Sequence, residues 1–100
     1  MVIQLQGSLN AANVDRLRQQ LQAGVLSEQH ASLLIDMHQV ELMDSAALMV
    51  LVSAHRLAQR LNKPFVLCSL SRSVQMIFEL TQLDRVFKIL ELSTPLDLAA

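Results

Sequence analysis

The chain is poor in the residue types from which many small functional sites are built. Its 100 residues include one cysteine, two glycines, and no tryptophan or tyrosine. The single thiol, Cys68, cannot form an internal disulfide, which fits a reducing cytosol. One cysteine and three scattered histidines also argue against a structural zinc site. With only Gly7 and Gly24, the chain lacks the glycine-rich loops that bind phosphates and dinucleotides.

Clustered positive charge and long apolar runs are absent as well. The net charge is −1, and the three aromatic residues are all phenylalanines. Nucleic-acid binding usually needs clustered Lys and Arg or stacking rings, so this class of partner is not expected. No apolar run approaches the roughly 18 residues of a membrane span. The N-terminal residues Met1–Gln6 carry no basic region of a signal peptide, and we expect a cytoplasmic protein.

What the chain does have is enough apolar residues for one core. Hydrophobic residues make up 52% of the chain and charged residues 17%. A chain of this length buries about two thirds of its unfolded surface, so residues 1–100 are expected to form a single domain. Its charged share is low for a soluble surface, which suggests that some apolar surface is reserved for a partner.

Apolar periodicity and helix caps predict alternating strands and helices. Such alternation is typical of an α/β fold with parallel strands and right-handed crossovers. We therefore predict a mostly parallel four-stranded sheet with about four helices. The predicted elements are a strand at Val2–Gln6, a helix from Asn10 to about Ala23 that Gly24 stops, a strand at Ser32–Met37, a loop at His38–Met43, a helix from Asp44-Ser45 to about Leu61, a strand at Phe65–Cys68, a helix from Ser71 to about Leu80, a strand at Val86–Leu90, and a short helix that Thr94-Pro95 begins.

Catalytic motifs are missing from this framework. The sequence has no His-Glu-x-x-His, Gly-x-Ser-x-Gly or Cys-x-x-Cys pattern. We expect no enzyme and no bound cofactor. An enzyme would become plausible only if the structure showed a deep pocket lined by His38, His55 and Asp44.

One constellation, Met43-Asp44-Ser45-Ala46-Ala47-Leu48, has both a structural and a functional interpretation. Asp and Ser are ordinary N-cap residues, so the pair explains the helix start by itself. The functional interpretation uses the same physics, because a helix N-terminus favours a negative charge. A phosphoryl group on Ser45 would add about −1.5 to −2 charges there. The small Ala46 and Ala47 leave room for a partner to approach.

In the order of its segments, the chain resembles the STAS domains, and in particular the bacterial anti-sigma-factor antagonists. The segment Asp44-Ser45-Ala46-Ala47-Leu48 is similar to that family's Asp-Ser-x-Gly-Leu helix start. The similarity covers nearly the whole chain, and its other segments are Gln4–Leu9, Leu34–Val40, Leu67–Val74 and Ile77–Leu83.

This resemblance implies a partner-switching role in signal transduction and the regulation of transcription. The phosphoacceptor would be Ser45, and the partner surface would comprise Met43, Asp44, Ser45, Ala46, Ala47 and Leu48. An anti-sigma-factor kinase that uses ATP and magnesium would phosphorylate Ser45, and a metal-dependent phosphatase would reverse the modification. A second interpretation of the same resemblance is a STAS subunit that docks, without phosphorylation, on a transporter or another signalling complex.

Two departures from the family pattern carry expectations of their own. Ala47 stands where the motif has glycine, and we expect its methyl group to lie where a partner approaches. The chain is also expected to begin too late to supply the family's first strand. Because a missing edge strand leaves backbone unpaired, a homodimer is a further expectation.

Overall fold

A computed structural model describes residues 1–90 of the chain. These residues form four strands and three α-helices in strict alternation. The elements are β1 (Val2–Leu9), α1 (Val14–Leu26), β2 (Leu33–Met43), α2 (Ser45–Arg60), β3 (Phe65–Cys68), α3 (Arg72–Leu80) and β4 (Lys88–Leu90), with a short 3₁₀ turn at Leu83–Arg85. The strand order is β1-β2-β3-β4, and all three neighbouring pairs are parallel. The predicted α/β architecture is therefore confirmed, and the helix predicted from Thr94 lies outside the described residues.

One face of the sheet has apolar side chains buried in the core, and the opposite face is more exposed in the part of the chain that the structure describes. Ile3, Ile35, Leu67 and Ile89 stand in one row across the four strands, and the first three are at most 4% exposed. On the other side, Val2 is 59% exposed, while Leu34 and Val66 of the same row are half-buried. Alternate side chains of a strand point to opposite faces, so this difference shows where the core lies.

The second half of β2 is the main difference from the predicted elements. The segment His38–Met43 was predicted to be a loop, but it pairs with β1 as far as Leu9 opposite Met43. The pairing register shifts twice on the way, and β2 supplies the extra residue each time. Such bulges bend a strand and interrupt its alternation. As a result, the buried residues from Met37 onward are three positions apart: Met37, Val40 and Met43.

Both glycines lie inside elements, although Gly24 was predicted to stop the first helix. Gly7 lies inside β1 at φ +79°, a backbone conformation that glycine adopts without a Cβ penalty. Gly24 lies inside α1, which continues to Leu26. A Cβ atom at Gly24 would come within 2.7 Å of Ile3 Cδ1 and 2.9 Å of Leu33 Cδ2. These side-chain ends would have to move for any larger residue, so glycine allows the close approach of the helix to the sheet without a shift.

The start of α1 and the extent of β4 also differ from prediction. The helix begins at Val14, because Asn10 and Asn13 hold a turn before it: the Asn10 side chain accepts from the Ala12 N–H at 2.8 Å, and the Asn13 side chain accepts from the Asn10 N–H at 2.9 Å. The last strand is only Lys88–Leu90, since the 3₁₀ turn and Val86 precede it.

Helix α2 packs against the core through small residues at helical spacing. Ala47, Leu51, Ala54 and Ala58 are at most 3% exposed, and their spacings of four, three and four residues place them on one stripe. The alanines let the backbone approach the sheet, while Leu51 contributes the apolar bulk. At its other end α2 stops as predicted: Asn62 takes the left-handed conformation at φ 57°, and the Lys63 N–H bonds back to the Ala58 carbonyl at 2.8 Å.

Candidate functional site

The candidate site lies where β1 and β2 end and α2 begins. Carboxyl ends of parallel strands meet at one edge of a sheet, so the segment after β1 comes close to the segment after β2. A backbone hydrogen bond from the Asp44 N–H to the Leu9 carbonyl, 3.0 Å long, closes this edge. The two bulges in β2 lie just before it, where such irregularities commonly re-aim a strand's end.

Asp44 joins the two segments through both of its carboxylate oxygens. Oδ1 accepts from the Ala47 N–H at 3.0 Å, which is an N-cap bond to the first turn of α2. Oδ2 accepts from the Ala11 N–H at 3.0 Å, in the turn between β1 and α1. The structural interpretation of Asp44 as a cap is therefore confirmed, and the second bond was not predicted.

Ser45 is the first residue of α2, and its side chain is exposed. The first N–H groups of a helix have no partner within the helix. Asp44 satisfies the N–H of Ala47 with its side chain and that of Leu48 with its carbonyl. The N–H groups of Ser45 and Ala46 belong to the same first turn, and with the positive end of the helix dipole they make it favourable for an anion.

The remaining residues of the predicted partner surface fall into two groups. Ala46 is half-buried and Asp44 is exposed, so both lie at the surface beside Ser45. Met43, Ala47 and Leu48 are between 0% and 7% exposed and belong to the core. In this conformation their side chains offer a partner almost no area. The expectation that the Ala47 methyl group meets a partner is therefore wrong: that methyl group is packed inside.

The surface around Ser45 includes residues that the sequence did not single out. Met49, one helical turn after Ser45, is 61% exposed, and Leu42, at the end of β2, is 56% exposed. Ala11 and Ala12 of the β1–α1 turn are exposed as well. The spacing of four residues between Ser45 and Met49 could have indicated a shared helix face. The contribution of the β1–α1 turn depends on the fold and has no local signal.

His38, His55 and Asp44, which an enzyme would need in one pocket, differ in their exposure to solvent. His38 and Asp44 are exposed, whereas His55 is 7% exposed and lies between aromatic rings. Its ring centroid is 4.8 Å from that of Phe87 and 5.8 Å from that of Phe65. Burial lowers the pKa of His55, and its Nδ1 has no hydrogen-bond partner. A pocket lined by His38, His55 and Asp44 is thus not formed.

The part of the chain that the structure describes has neither a metal-binding cluster nor a helix that could cross a membrane. Among residues 1–90, no three His, Cys, Asp or Glu side chains are grouped closely enough to hold a metal ion. Cys68 is buried, and burial raises the pKa of its thiol. None of the helices described has both the length and the apolar character needed to cross a membrane.

Comparison with known proteins identifies the family. The STAS domain family model matches residues 1–97. A Thermotoga maritima protein proposed to be an anti-sigma factor antagonist is similar in structure, with 25% identity, a TM-score of 0.79, and coverage of 98% of this chain and 84% of that one. The phosphorylated form of the Bacillus cell fate determinant SpoIIAA shares the fold at 16% identity and a TM-score of 0.69, covering 98% and 86% of the two chains.

A further similar chain comes from the stressosome, a signal integration and transduction hub. It is 26% identical, with a TM-score of 0.67 and coverage of 96% of this chain and 85% of that one. The family match spans nearly the whole sequence, and the structural matches reproduce the parallel four-stranded sheet with its helices. The chain therefore belongs to the STAS domain family.

Proposed function

We propose that this chain is a cytoplasmic partner-switching regulator of the anti-sigma-factor-antagonist type. Unphosphorylated, it binds a serine kinase that doubles as an anti-sigma factor, and phosphorylation of Ser45 weakens that binding. A metal-dependent phosphatase restores the binding form. The observation that carries the proposal is the position of Ser45: an exposed hydroxyl on the first residue of α2, beside a cap residue that holds the helix start in place.

The local electrostatics suit a reversible phosphoryl group. A phosphoserine at the first helical position lies near the free N–H groups of Ser45 and Ala46 and the positive end of the helix dipole. Asp44 adds a negative charge next to it, but its two oxygens already accept hydrogen bonds from Ala47 and Ala11. We therefore expect the fold to tolerate the dianion. SpoIIAA, which has a similar structure, exists in a phosphorylated form.

The effect on a partner follows from the exposed apolar residues around Ser45. Met49 and Leu42 are more than half exposed, and both flank the start of α2 in sequence. A kinase docked over this area must remove water from the Ser45 side chain. Removing water from a neutral hydroxyl is much less costly than removing it from a dianion, so phosphorylation disfavours the complex without loosening the fold.

In this scheme the chain is a substrate and a ligand, and the chemistry belongs to its partners. The kinase brings ATP and magnesium, and the phosphatase brings its own metal. The residues that carry the role of this chain are Ser45 as phosphoacceptor, Asp44 as the residue that positions the helix start, and Met49 and Leu42 as contact residues.

Mass spectrometry of the chain isolated from its own cells tests the proposal. We expect peptides with one added phosphoryl group, located at Ser45 by fragmentation and absent from Ser45→Ala. Ser53 is a matched control, because it is an exposed serine on the same helix, two turns further on. Ser53→Ala should keep the modification. An unmodified Ser45 under all growth conditions, or a phosphoryl group on Ser53 instead, would contradict the proposal.

A second candidate is a docked subunit that is never phosphorylated, within a transporter or a larger signalling assembly. The observation that favours it is the exposure of Met49 and Leu42, since exposed apolar side chains suit a permanent interface. The same isolation separates the two candidates. Stable co-purification with a transporter or an assembly, together with an unmodified Ser45, would support the docked subunit.

A further inference from the structure

The outer edge of β1 is an unpaired strand edge without the usual protection. Within residues 1–90, β1 pairs with β2 only and stands at the end of the sheet. Natural edge strands are commonly protected by charged side chains, by proline or by short length. β1 is eight residues long, and its sequence Val-Ile-Gln-Leu-Gln-Gly-Ser-Leu has no charge and no proline.

The hydrogen bonds of β1 show which backbone groups are free. The Met1 carbonyl accepts from the Leu34 N–H at 2.9 Å, and the Leu9 carbonyl accepts from the Asp44 N–H, so both ends of β1 face β2 at odd-numbered residues. Successive residues of a strand turn their N–H and C=O groups to opposite edges. The even-numbered residues Val2, Gln4, Gln6 and Ser8 therefore direct theirs outward, and of these groups the Ser8 carbonyl already accepts from Asn13 Nδ2 at 2.7 Å.

We propose that this edge pairs antiparallel with the same edge of a second copy of the chain. A two-fold axis lets both free edges satisfy each other and closes the assembly at two copies. The register centred on Leu5 puts this residue on the axis, opposite Leu5 of the second copy. It also pairs Gln4 with Gln6 of the second copy.

The side-chain pattern of β1 favours a second copy as the occupant. In this register, Gln4 meets Gln6 of the second copy on the more exposed face of the sheet, where the two amides can hydrogen-bond across the strands. β1 has no charged side chain, so the pairing places no like charges opposite each other.

Sedimentation equilibrium of the purified chain from micromolar to millimolar concentration tests the proposal, with Gln4→Pro as the key variant. Because the Gln4 N–H points outward, proline there removes no bond to β2 and removes two bonds of the dimer. We expect a dimer for the wild type and at least roughly tenfold weaker association for Gln4→Pro with unchanged circular dichroism. A wild-type monomer at millimolar concentration, or a folded Gln4→Pro that dimerises as tightly as wild type, would overturn it.

Two further variants keep the test decisive if Gln4→Pro does not fold. The double variant Gln4→Lys/Gln6→Lys places like charges opposite each other and should also abolish the dimer; an unchanged dimer would overturn the proposal. The register is checked by cross-linking. Paired residues of this kind have Cα atoms about 5.5 Å apart, within disulfide range. A mixture of Gln4→Cys and Gln6→Cys should cross-link, and efficient cross-linking of Gln4→Cys alone would overturn the register.

Discussion

The start and the middle of α2 are held in place by different forces. At its start, Asp44 makes two hydrogen bonds at the surface, and Ser45 is exposed. In its middle, Leu51 and Ala54 are at most 3% exposed, and His55 packs between rings. A surface held by hydrogen bonds can accept a new charge, whereas a packed core cannot. The proposed switch therefore lies at the start of α2, where a new charge costs the fold little, and the middle of the helix contributes stability.

The largest effect is expected in the packed half. Leu51 is fully buried, and Leu51→Ala removes its apolar bulk and leaves a cavity. The free energy of unfolding should fall by about 2–5 kcal/mol. Urea unfolding followed by circular dichroism measures this change, and the exposed Met49→Ala on the same helix is the control. A loss below about 1 kcal/mol would mean that this half of α2 is not a tightly packed core element.

A smaller effect is expected from Asp44, which joins the two segments at the site. Asp44→Ala loses the helix cap and the bond to the Ala11 N–H, and should cost about 1–3 kcal/mol. Asp44→Asn keeps one acceptor oxygen and should fall between wild type and Asp44→Ala. Faster amide hydrogen exchange of Ala11 in Asp44→Ala would show the lost connection directly. Equal stability of all three proteins would contradict the role of Asp44.

A pH-dependent change in stability is expected from His55, which belongs to the packed part of α2. Burial holds its pKa below the value of 6.5 that it has in the unfolded chain. Well above pH 6.5 both states are neutral at His55, and its contribution to stability is complete. As the pH falls below 6.5 the unfolded state binds a proton first, so stability decreases, with a slope of at most about 1.4 kcal/mol per pH unit.

The variant His55→Phe isolates this effect, because it keeps a ring next to Phe65 and Phe87 but cannot titrate. Urea unfolding of both proteins between neutral pH and about pH 5.5 should show the wild type losing more stability than the variant. Parallel pH profiles would mean that His55 has the same pKa in both states, and that it is not buried as described.

The smallest effect on stability is expected at Ser45. Its hydroxyl is exposed, so Ser45→Ala should change the free energy of unfolding by no more than about 0.5 kcal/mol. Ser53→Ala should behave alike. A loss of more than about 1 kcal/mol at Ser45 alone, measured by the same urea titration, would show that the hydroxyl supports the fold.

Periodicity and caps predicted the fold class because most elements have simple patterns. Phe65–Cys68 and the Ser71 and Asp44 caps were found where predicted, since each depends on neighbouring residues only. The second half of β2 was missed because its two bulges replace alternation by a spacing of three, which no strand template contains. Gly24 was misinterpreted because a glycine that ends a helix and one that permits close packing look the same in sequence.

The site was predicted in part for the same reason. Asp44 and Ser45 are adjacent and carry a local helix-start signal, so they could be identified together. Which side chains of this segment face the core was harder to predict, and the burial of Met43 and Ala47 was missed. The bond between Asp44 and Ala11 joins residues 33 positions apart, and only the pairing of β1 with β2 brings them together.

The central claim is that a negative group at the start of α2 changes which partner binds and leaves the fold intact. The most direct measurement is the affinity of Ser45→Glu and Ser53→Glu, by titration calorimetry, for the kinase recovered with the chain from its own cells. We predict at least roughly tenfold weaker binding for Ser45→Glu, near wild-type binding for Ser53→Glu, and similar unfolding free energies for both. Equal affinities for the two variants would contradict the account.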